Sequence, residues 1–362
     1  MTTGENVKSK PVIRVMVVED STYMQYVIRQ IIDDEPDMLV VETARDGLEA
    51  LEKLEKLTPD VITLDIQMPR MNGLEFLGHN QKKHRIPTVL ISSLTHEGAA
   101  ETIRGLELGA VDFVPKPTGI HSLSLASVRD EIISKVRIAH GLRAAPALAL
   151  RTPEAAAEAV IRRAPVEKKK VSAKPLLRKV VVIGASTGGP RALTEIIPAL
   201  PGDLPAAVLV VQHMPPKFTR SLAERLNSLS SLEVVEAEDG QKIRGGTVYV
   251  APGDHHMRIG GDATIVLSQE QARLGVRPSI DILMRSAAGT FKKLAIGVVL
   301  TGMGTDGTLG LQSIKDAGGV TIAESEESSV VFGMPRSAIE ARCADNVLHL
   351  GEIAEKIVSL VR

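Results

Sequence analysis

The chain of 362 residues has no tryptophan, three tyrosines, five phenylalanines and a single cysteine. One cysteine cannot form an internal disulfide, and its scarcity is typical of proteins from reducing compartments. So few aromatic residues argue against the stacking platforms with which proteins bind single-stranded nucleic acid. The formal net charge of −1 argues against a general nucleic-acid partner as well.

Long apolar runs are also missing. No run approaches the roughly 20 apolar residues that a membrane helix needs, and the polar stretch from Met1 to Pro11 has no signal-peptide core. We therefore expect a cytoplasmic protein without membrane insertion, in monomeric form. The length predicts two domains, and we expect Cys343 to be a buried structural residue.

The first predicted domain, residues 12–140, alternates apolar runs with segments of helical periodicity. This alternation predicts a doubly wound α/β domain with a five-stranded parallel sheet. The predicted strands are Ile13–Val18, Leu39–Thr43, Val61–Leu64, Thr88–Ile91 and Val111–Val114.

Polar residues follow four of these runs, namely Glu19, Asp20, Asp65, Ser92 and Lys116. The carboxyl ends of parallel strands meet at one edge of a sheet, where ligands bind. Three carboxylates at one place repel one another unless a hard cation lies among them, and oxygen ligands suit Mg²⁺. A hydroxyl and an ammonium beside them suit a phosphoryl group. Each residue alone has an ordinary explanation as a cap or surface charge, but five at one edge indicate a phosphoryl site.

These residues lie in a pattern that resembles the response-regulator receiver family. The matching segments are Glu19-Asp20, Leu64–Gly73, Ser92 and Phe113–Pro117. Asn72 stands where the family commonly has an acid, and we expect that difference to be peripheral.

The resemblance implies a role for each residue at this edge. Asp65 would accept a phosphoryl group from a CheA-type histidine kinase, and Glu19 and Asp20 would bind Mg²⁺ together with it. Ser92 would sense the phosphoryl group and Lys116 would pair with it. The peptide bond between Lys116 and Pro117 would be cis.

Residues 141–176 are rich in alanine, proline and basic residues and lack a strong apolar period. We interpret them as a semi-flexible linker.

Residues 177–362 again predict an α/β domain, with a mostly parallel sheet and an antiparallel portion around 247–268. The predicted strands are Val180–Ile183, Ala207–Val211, Val234–Val235, Thr247–Val250, Thr264–Leu267, Leu294–Leu300 and Val320–Ile322. The predicted helices are Ala192–Ile197, Phe218–Leu229, Leu309–Ala317 and Ser337–Arg342.

The segment Val180–Pro190 contains a strand, the sequence Gly-Ala-Ser-Thr-Gly and a proline suited to open a helix. Gly-x-Ser-x-Gly between a strand and a helix is the nucleophile-elbow pattern, which would expose the hydroxyl of Ser186 on a tight turn. Two other interpretations stay open at this point, a plain glycine-rich turn and a phosphate-cradling loop.

A nucleophilic serine needs a base and an acid. His213 ends an apolar run as Ser186 does, and His255 and His256 are the alternatives. The acid candidate is Asp306, in the glycine-rich segment Leu300–Gly307. Aspartate is also favoured as a helix N-cap, and Asp306 could serve both as the acid and as a cap. If the three converge, they form a Ser-His-Asp triad for acyl transfer.

Motifs in both domains resemble the chemotaxis protein-glutamate methylesterase (CheB) family. In the second domain they are residues 180–190, Val211–Pro215, Val250–Gly253, Arg277–Asp281, Thr301–Gly307 and Phe332–Arg336. The resemblance implies a triad of Ser186, His213 and Asp306, with Thr187 and Met303 at the oxyanion. It implies hydrolysis of γ-glutamyl methyl esters and deamidation of glutamines on methyl-accepting chemoreceptors, without a cofactor for hydrolysis.

The mode of activation and two alternative functions of the second domain stay open at this point. By the resemblance, phosphorylation of Asp65 activates hydrolysis, either by relieving an occlusion of Ser186 or by improving the catalytic site directly. A second hypothesis is a response regulator whose output domain binds a partner or nucleotide without catalysis. A DNA-binding output domain is disfavoured by the near-neutral charge.

Overall fold

The structure, a computed structural model, describes residues 12–116, 122–144 and 175–362. They fall into two compact units, one of residues 12–93 and 108–144 and one of residues 94–107 and 175–362. The predicted linker lies outside the described residues except at its two ends. Pro117 lies outside them too, and with it the predicted cis bond to Lys116.

The first unit contains a five-stranded parallel sheet in the order β2-β1-β3-β4-β5, which confirms the predicted doubly wound fold. The strands are β1 Ile13–Val18, β2 Met38–Ala44, β3 Val61–Asp65, β4 Thr88–Ser92 and β5 Asp112–Pro115. The helices that alternate with them are α1 Thr22–Asp33, α2 Gly47–Leu54, α3 Gly73–Lys83, α4 His96–Glu107 and α5 Ser122–Ala144. By its packing, α4 is grouped with the second unit.

Local capping explains where these helices begin. Ser21 Oγ accepts from the backbone N–H of Met24 at the start of α1. Asn72 Oδ1 accepts from Glu75 N at 2.9 Å, and the Glu75 carboxylate accepts in return from Asn72 N at 3.1 Å. This capping box fixes the first turn of α3, so Asn72 has a local structural role.

The second unit is built on a seven-stranded sheet in the order β14-β13-β12-β6-β7-β9-β8, in which every pair is parallel. Its strands are β6 Lys179–Ala185, β7 Ala206–Gln212, β8 Glu233–Glu236, β9 Thr247–Val250, β12 Ala295–Val299, β13 Val320–Glu324 and β14 Asn346–Leu348. The remaining helices are α6 Gly189–Ala199, α7 Phe218–Leu229, α8 Ile280–Phe291, α9 Thr308–Asp316, α10 Met334–Glu340 and α11 Leu350–Val361. A short 3₁₀ helix, Lys292–Leu294, precedes β12.

A separate antiparallel hairpin pairs β10 His256–Ile259 with β11 Ile265–Ser268. The prediction of antiparallel strands over 247–268 is therefore right for its second half and wrong for its first, because β9 pairs in parallel with β7 and β8. The chain between β8 and β9 doubles back before β9 begins. The hydroxyl of Tyr249 holds that connection by accepting from Arg244 N at 3.0 Å and donating to Lys242 O at 3.1 Å.

The cores are aliphatic, as expected from the composition. Val180, Val182 and Leu209 are fully buried in the larger core, and Cys343 is buried beside Gln312. Among the described residues, no helix combines the length and the apolarity required to cross a bilayer.

In both sheets, the order in which the chain adds strands reverses at one pair of adjacent strands. This occurs between β1 and β3 in the first unit and between β12 and β6 in the second. Such a topological switch point leaves a crevice at the carboxyl ends of the strands, which is where α/β proteins bind ligands.

Candidate functional site

The switch point of the first unit brings together the predicted phosphoryl-site residues. Glu19 follows β1, Asp65 ends β3, and both side chains are buried. Lys116 Nζ lies 3.0 Å from Glu19 Oε2 and 2.9 Å from Asp65 Oδ2. Ser92 is buried at the end of the neighbouring strand, β4.

Electrostatics make this edge receptive to a cation. Burial, followed by the charge of Asp65, raises the pKa of Glu19 to about 7. Burial also raises the pKa of Asp65, although Lys116 opposes that rise. Carboxyl oxygens of Glu19, Asp20 and Asp65 lie within 4.8 Å of one another. Three hard oxygen ligands at one place form an acidic cluster that is able to hold a metal ion.

In the second unit, Ser186 lies in the turn between β6 and α6, with Pro190 in the first turn of the helix as predicted. Its backbone N–H donates to Thr301 O at 3.0 Å, and its carbonyl accepts from Gln212 Nε2 at 2.8 Å. A Cβ at Gly302 would lie 2.6 Å from Ser186 Cβ. Only glycine permits this close approach of the segment after β12 to the serine.

Thr301 joins the loops around the serine. Its Oγ1 donates to Thr187 O at 2.9 Å and accepts from Val331 N at 2.9 Å. Thr187 is buried beside the serine, whereas the side chain of Met303 is 57% exposed. The two residues predicted at the oxyanion therefore lie in loops tied together by Thr301.

His213 and Asp306, from the ends of two different strands, are in direct contact. His213 follows β7, and its Nε2 lies 2.9 Å from Asp306 Oδ2. A carboxylate only accepts hydrogen bonds, so Nε2 carries the proton and Nδ1 carries the lone pair in the neutral ring. Among the described residues, Nδ1 of His213 has no hydrogen-bond partner, nor does a hydrogen bond join this ring to Ser186 Oγ.

Asp306 is buried, and three further donors hold its carboxylate. It accepts from Ser279 Oγ at 2.9 Å, from Ile280 N at 2.7 Å and from Asp281 N at 3.0 Å. Burial alone would raise its pKa, but His213 and these N–H groups hold the pKa below its usual value. Asp306 thus holds the start of α8, which is not the helix that follows it in the chain, and it pairs with His213.

The alternative histidines have structural surroundings. His256 is fully buried, its Nδ1 accepts from Ser279 N at 3.2 Å, and its Nε2 lies 3.2 Å from Gln271 O. Burial lowers the pKa of His256. His255 Nδ1 lies 3.3 Å from Gly253 O. Of the three candidates, only His213 has a carboxylate partner among the described residues.

Sequence reasoning missed two buried carboxyl groups beside this site. Glu324 ends β13 at 0% exposure, and its Oε2 accepts from Thr301 N at 2.8 Å. Burial raises its pKa to about 7. It lines a cavity of about 300 Å³ together with Gly188 and Arg191. A glutamate directly after the apolar run Val320–Ala323 was the available signal.

The other missed group is Asp281, the second residue of α8, which is also fully buried. Its Oδ1 accepts from Gly307 N at 3.0 Å and from Gly310 N at 2.7 Å. The segment Arg277–Asp281 carried the family resemblance, but nothing in its pattern indicated what the aspartate contacts.

Comparisons with known proteins identify families and relatives to which this chain is similar. Residues 15–127 match the response regulator receiver domain family and residues 181–357 match the CheB methylesterase family. A protein-glutamate methylesterase/protein-glutamine glutaminase of Thermotoga maritima is 48% identical over 97% of this chain and 99% of its own length. A protein of the same name from Pyrococcus abyssi is 46% identical over 96% of this chain and 94% of its own.

One solved structure overlaps the second unit. The crystal structure of the Thermotoga maritima CheB methylesterase catalytic domain aligns with a TM-score of 0.50 and 51% identity, covering 51% of this chain and 98% of that domain. The residues matched to the CheB methylesterase family, 181–357, include Ser186, His213 and Asp306.

Proposed function

This chain belongs to the protein-glutamate methylesterase/protein-glutamine glutaminase family, and from that premise we propose that Ser186, His213 and Asp306 hydrolyse γ-glutamyl methyl esters on chemoreceptors. The observation that carries the proposal is the His213–Asp306 contact of 2.9 Å at the strand ends beside the Ser186 turn. The same residues deamidate specific receptor glutamines, because an amide and an ester pass through the same acyl-enzyme.

The chemistry follows the general course of serine hydrolases. His213 Nδ1 takes the proton of Ser186 Oγ as that oxygen attacks the ester carbonyl. The protonated ring then gives the proton to the leaving methoxide, and methanol departs from an acyl-enzyme. Water, deprotonated by His213, attacks the acyl carbon, and the ring then returns that proton to Ser186 Oγ. The product leaves as a carboxylic acid, which ionises in water.

Asp306 stabilises the imidazolium that forms in each half of this reaction. Its charge and its bond to Nε2 also fix the tautomer in which Nδ1 is free to accept a proton. The backbone N–H groups of Thr187 and Met303 serve in this proposal as donors to the tetrahedral oxyanion. The bonds of Thr301 to the neighbouring loops support that assignment by giving these donors a fixed backbone.

The receiver domain accepts a phosphoryl group on Asp65 from a CheA-type histidine kinase. Glu19, Asp20 and Asp65 would hold Mg²⁺, which neutralises the phosphoryl oxygens during transfer. Lys116 pairs with the phosphoryl group and Ser92 senses it. The 2.9 Å contact of Lys116 with Asp65 supports these roles, because phosphorylation changes the group that Lys116 binds.

The proposal extends to domains, location and assembly. It takes residues 12–140 as the receiver domain, 141–176 as a linker and 177–362 as the catalytic domain. It places the protein in the cytoplasm as a monomer, in keeping with a single buried cysteine.

Methanol release from a methylated chemoreceptor tests the function. The full chain is compared with Ser186→Ala, with and without a small-molecule phosphodonor. We expect release by the wild type, an increase with the phosphodonor, and none by the variant. Equal release by the variant, or no release by either protein, would refute the proposal and favour an output domain that only binds.

A further inference from the structure

Asp281 is a buried charge that the proposed chemistry does not use. Although it belongs to α8, both N–H groups that its Oδ1 accepts from, those of Gly307 and Gly310, belong to the start of α9. Gly307 has a φ of +99°, a left-handed conformation that favours glycine at this position. Asp281 therefore caps a neighbouring helix.

Asp306 makes the reciprocal contacts. It precedes α9 in the chain, yet it accepts from Ile280 N and Asp281 N at the start of α8. Each helix start is held by a carboxylate that lies beside the start of the other. A negative charge is favourable at a helix N-terminus, so the two carboxylates and two helix ends form one closed arrangement.

This arrangement exists despite an electrostatic cost. Burial raises the pKa of Asp281, and the N–H groups of Gly310 and Gly307 oppose the rise while the charge of Asp306 adds to it. Arg273 Nε lies 3.8 Å from Asp281 Oδ2, beyond hydrogen-bond distance. The hydrogen bonds from the N–H groups of Gly307 and Gly310 are the main interactions that offset this cost. They tie Asp281 to the Gly307–Gly310 turn.

We propose that Asp281 is a positioning residue of the catalytic site, which holds the Gly307–Gly310 turn and thereby sets where Asp306 meets His213. The inference rests on the proposed function of Ser186, His213 and Asp306 and adds a residue to it. Without the Asp281 carboxylate, the turn after Asp306 loses the one side-chain oxygen that accepts from the N–H groups of Gly307 and Gly310. Asp306 then keeps its bonds to α8 but loses the restraint on its own segment.

The test measures kcat and KM of the full chain on a small activated acyl ester. For Asp281→Ala we expect kcat to fall ~10²-fold, the cost typical of displacing a catalytic group by about 1 Å. KM should stay as in the wild type, because Asp281 does not touch substrate. Asp281→Asn should retain most of kcat, since its amide oxygen still accepts from both N–H groups.

Asp345→Ala is the control for the loss of a hydrogen-bonded carboxylate elsewhere, although Asp345 is more exposed than Asp281 and also pairs with Lys315 Nζ at 2.9 Å. Asp345 also accepts two hydrogen bonds, from Thr321 N at 3.0 Å and Thr321 Oγ1 at 2.8 Å, but at the start of β13, away from the catalytic strand ends. Both alanine variants should melt at lower temperature, and only Asp281→Ala should lose kcat. If Asp281→Ala does not fold, Asp281→Ser replaces it in the test. The serine side chain is too short to reach both N–H groups, so this variant also removes the cap.

Two results would overturn the positioning role. One is a folded Asp281→Ala or Asp281→Ser with the kcat of the wild type. The other is an Asp281→Asn as impaired as the alanine variant, which would mean that the charge matters and the capping does not. Ser186→Ala is assayed in parallel to test the proposed function separately. Its activity shows whether Ser186 is the nucleophile and does not depend on the role of Asp281.

Discussion

Asp306 bonds His213 through Nε2, and Nδ1 is the ring nitrogen that is left without a partner among the described residues. In the proposed function, the proton of Ser186 would therefore pass to Nδ1, with the carboxylate bonded to the opposite nitrogen. A carboxylate that is buried and held by three further donors has little freedom to move. If Asp306 acts as proposed, its carboxylate is thus held in place before substrate arrives, which is what electrostatic preorganisation requires.

Replacing Asp306 by asparagine tests that route. The amide donates to Nε2, so the neutral ring shifts its proton to Nδ1 and can no longer accept one from Ser186. We expect a loss of kcat on the order of 10⁴-fold, as for other triads with this change. Esterase kinetics and a melting curve are the measurements. Near-normal kcat with a lower melting temperature would mean that Asp306 is only a helix cap.

The histidines offer a matched pair of substitutions. His213→Ala should lower kcat by roughly 10³-fold or more while the melting temperature changes little. His256→Ala should do the reverse, because the buried His256 ring accepts from Ser279 N and has no role in the proposed proton transfer. Melting curves and esterase rates on both variants decide the matter. A mild His213→Ala together with an inactive His256→Ala would show that the base has been misassigned.

The sequence predicted most of the elements and the strand ends at which the site lies. Helix Phe218–Leu229 and strand Thr247–Val250 have the predicted bounds, because clear apolar periods fix them. Helix Ile280–Phe291 was missed, since its small residues and Gly289 blur the period. The direction of β9 was missed as well, because direction depends on the course of the preceding connection, which composition does not reveal.

Each candidate residue could be predicted from a local motif, but the contacts between these residues could not. The motif around Ser186 and the position of His213 at a strand end are local signals. The bond from Asp281 to Gly310 joins a buried carboxylate to a backbone N–H of another helix. A tertiary contact of this kind has no signature in spacing or periodicity.

Glu324 predicts a pH dependence of stability. Its ordinary pKa is 4.5 and burial raises it to about 7 in the folded protein. Between these two values the folded state holds a proton that the unfolded state has released, so stability falls as pH rises through this window, by at most about 3 kcal/mol. Glu324→Gln cannot titrate, and its amide oxygen still accepts from Thr301 N.

Melting curves at pH 5 and pH 8 test this. The melting temperature of Glu324→Gln relative to the wild type should rise between the two pH values. A constant difference between Glu324→Gln and wild type across the range would contradict the buried, proton-holding state of Glu324.

Asp65→Asn tests the signalling input in the full chain. An amide cannot be phosphorylated, so a phosphodonor should raise the esterase rate of the wild type and leave that of the variant unchanged. Asp60→Asn is the control, because Asp60 lies before β3, at the opposite end of that strand. Stimulation of Asp65→Asn equal to that of the wild type would place the phosphoryl group elsewhere.

The activated state of Ser186 is the central claim, and covalent labelling measures it most directly. The full chain is treated with a fluorophosphonate, and the labelled peptide is located by mass spectrometry. We predict one label per chain on Ser186, none on Ser186→Ala, and slow labelling of His213→Ala. Absence of label on Ser186 in the folded wild type, or equal labelling rates for the wild type and His213→Ala, would contradict this account.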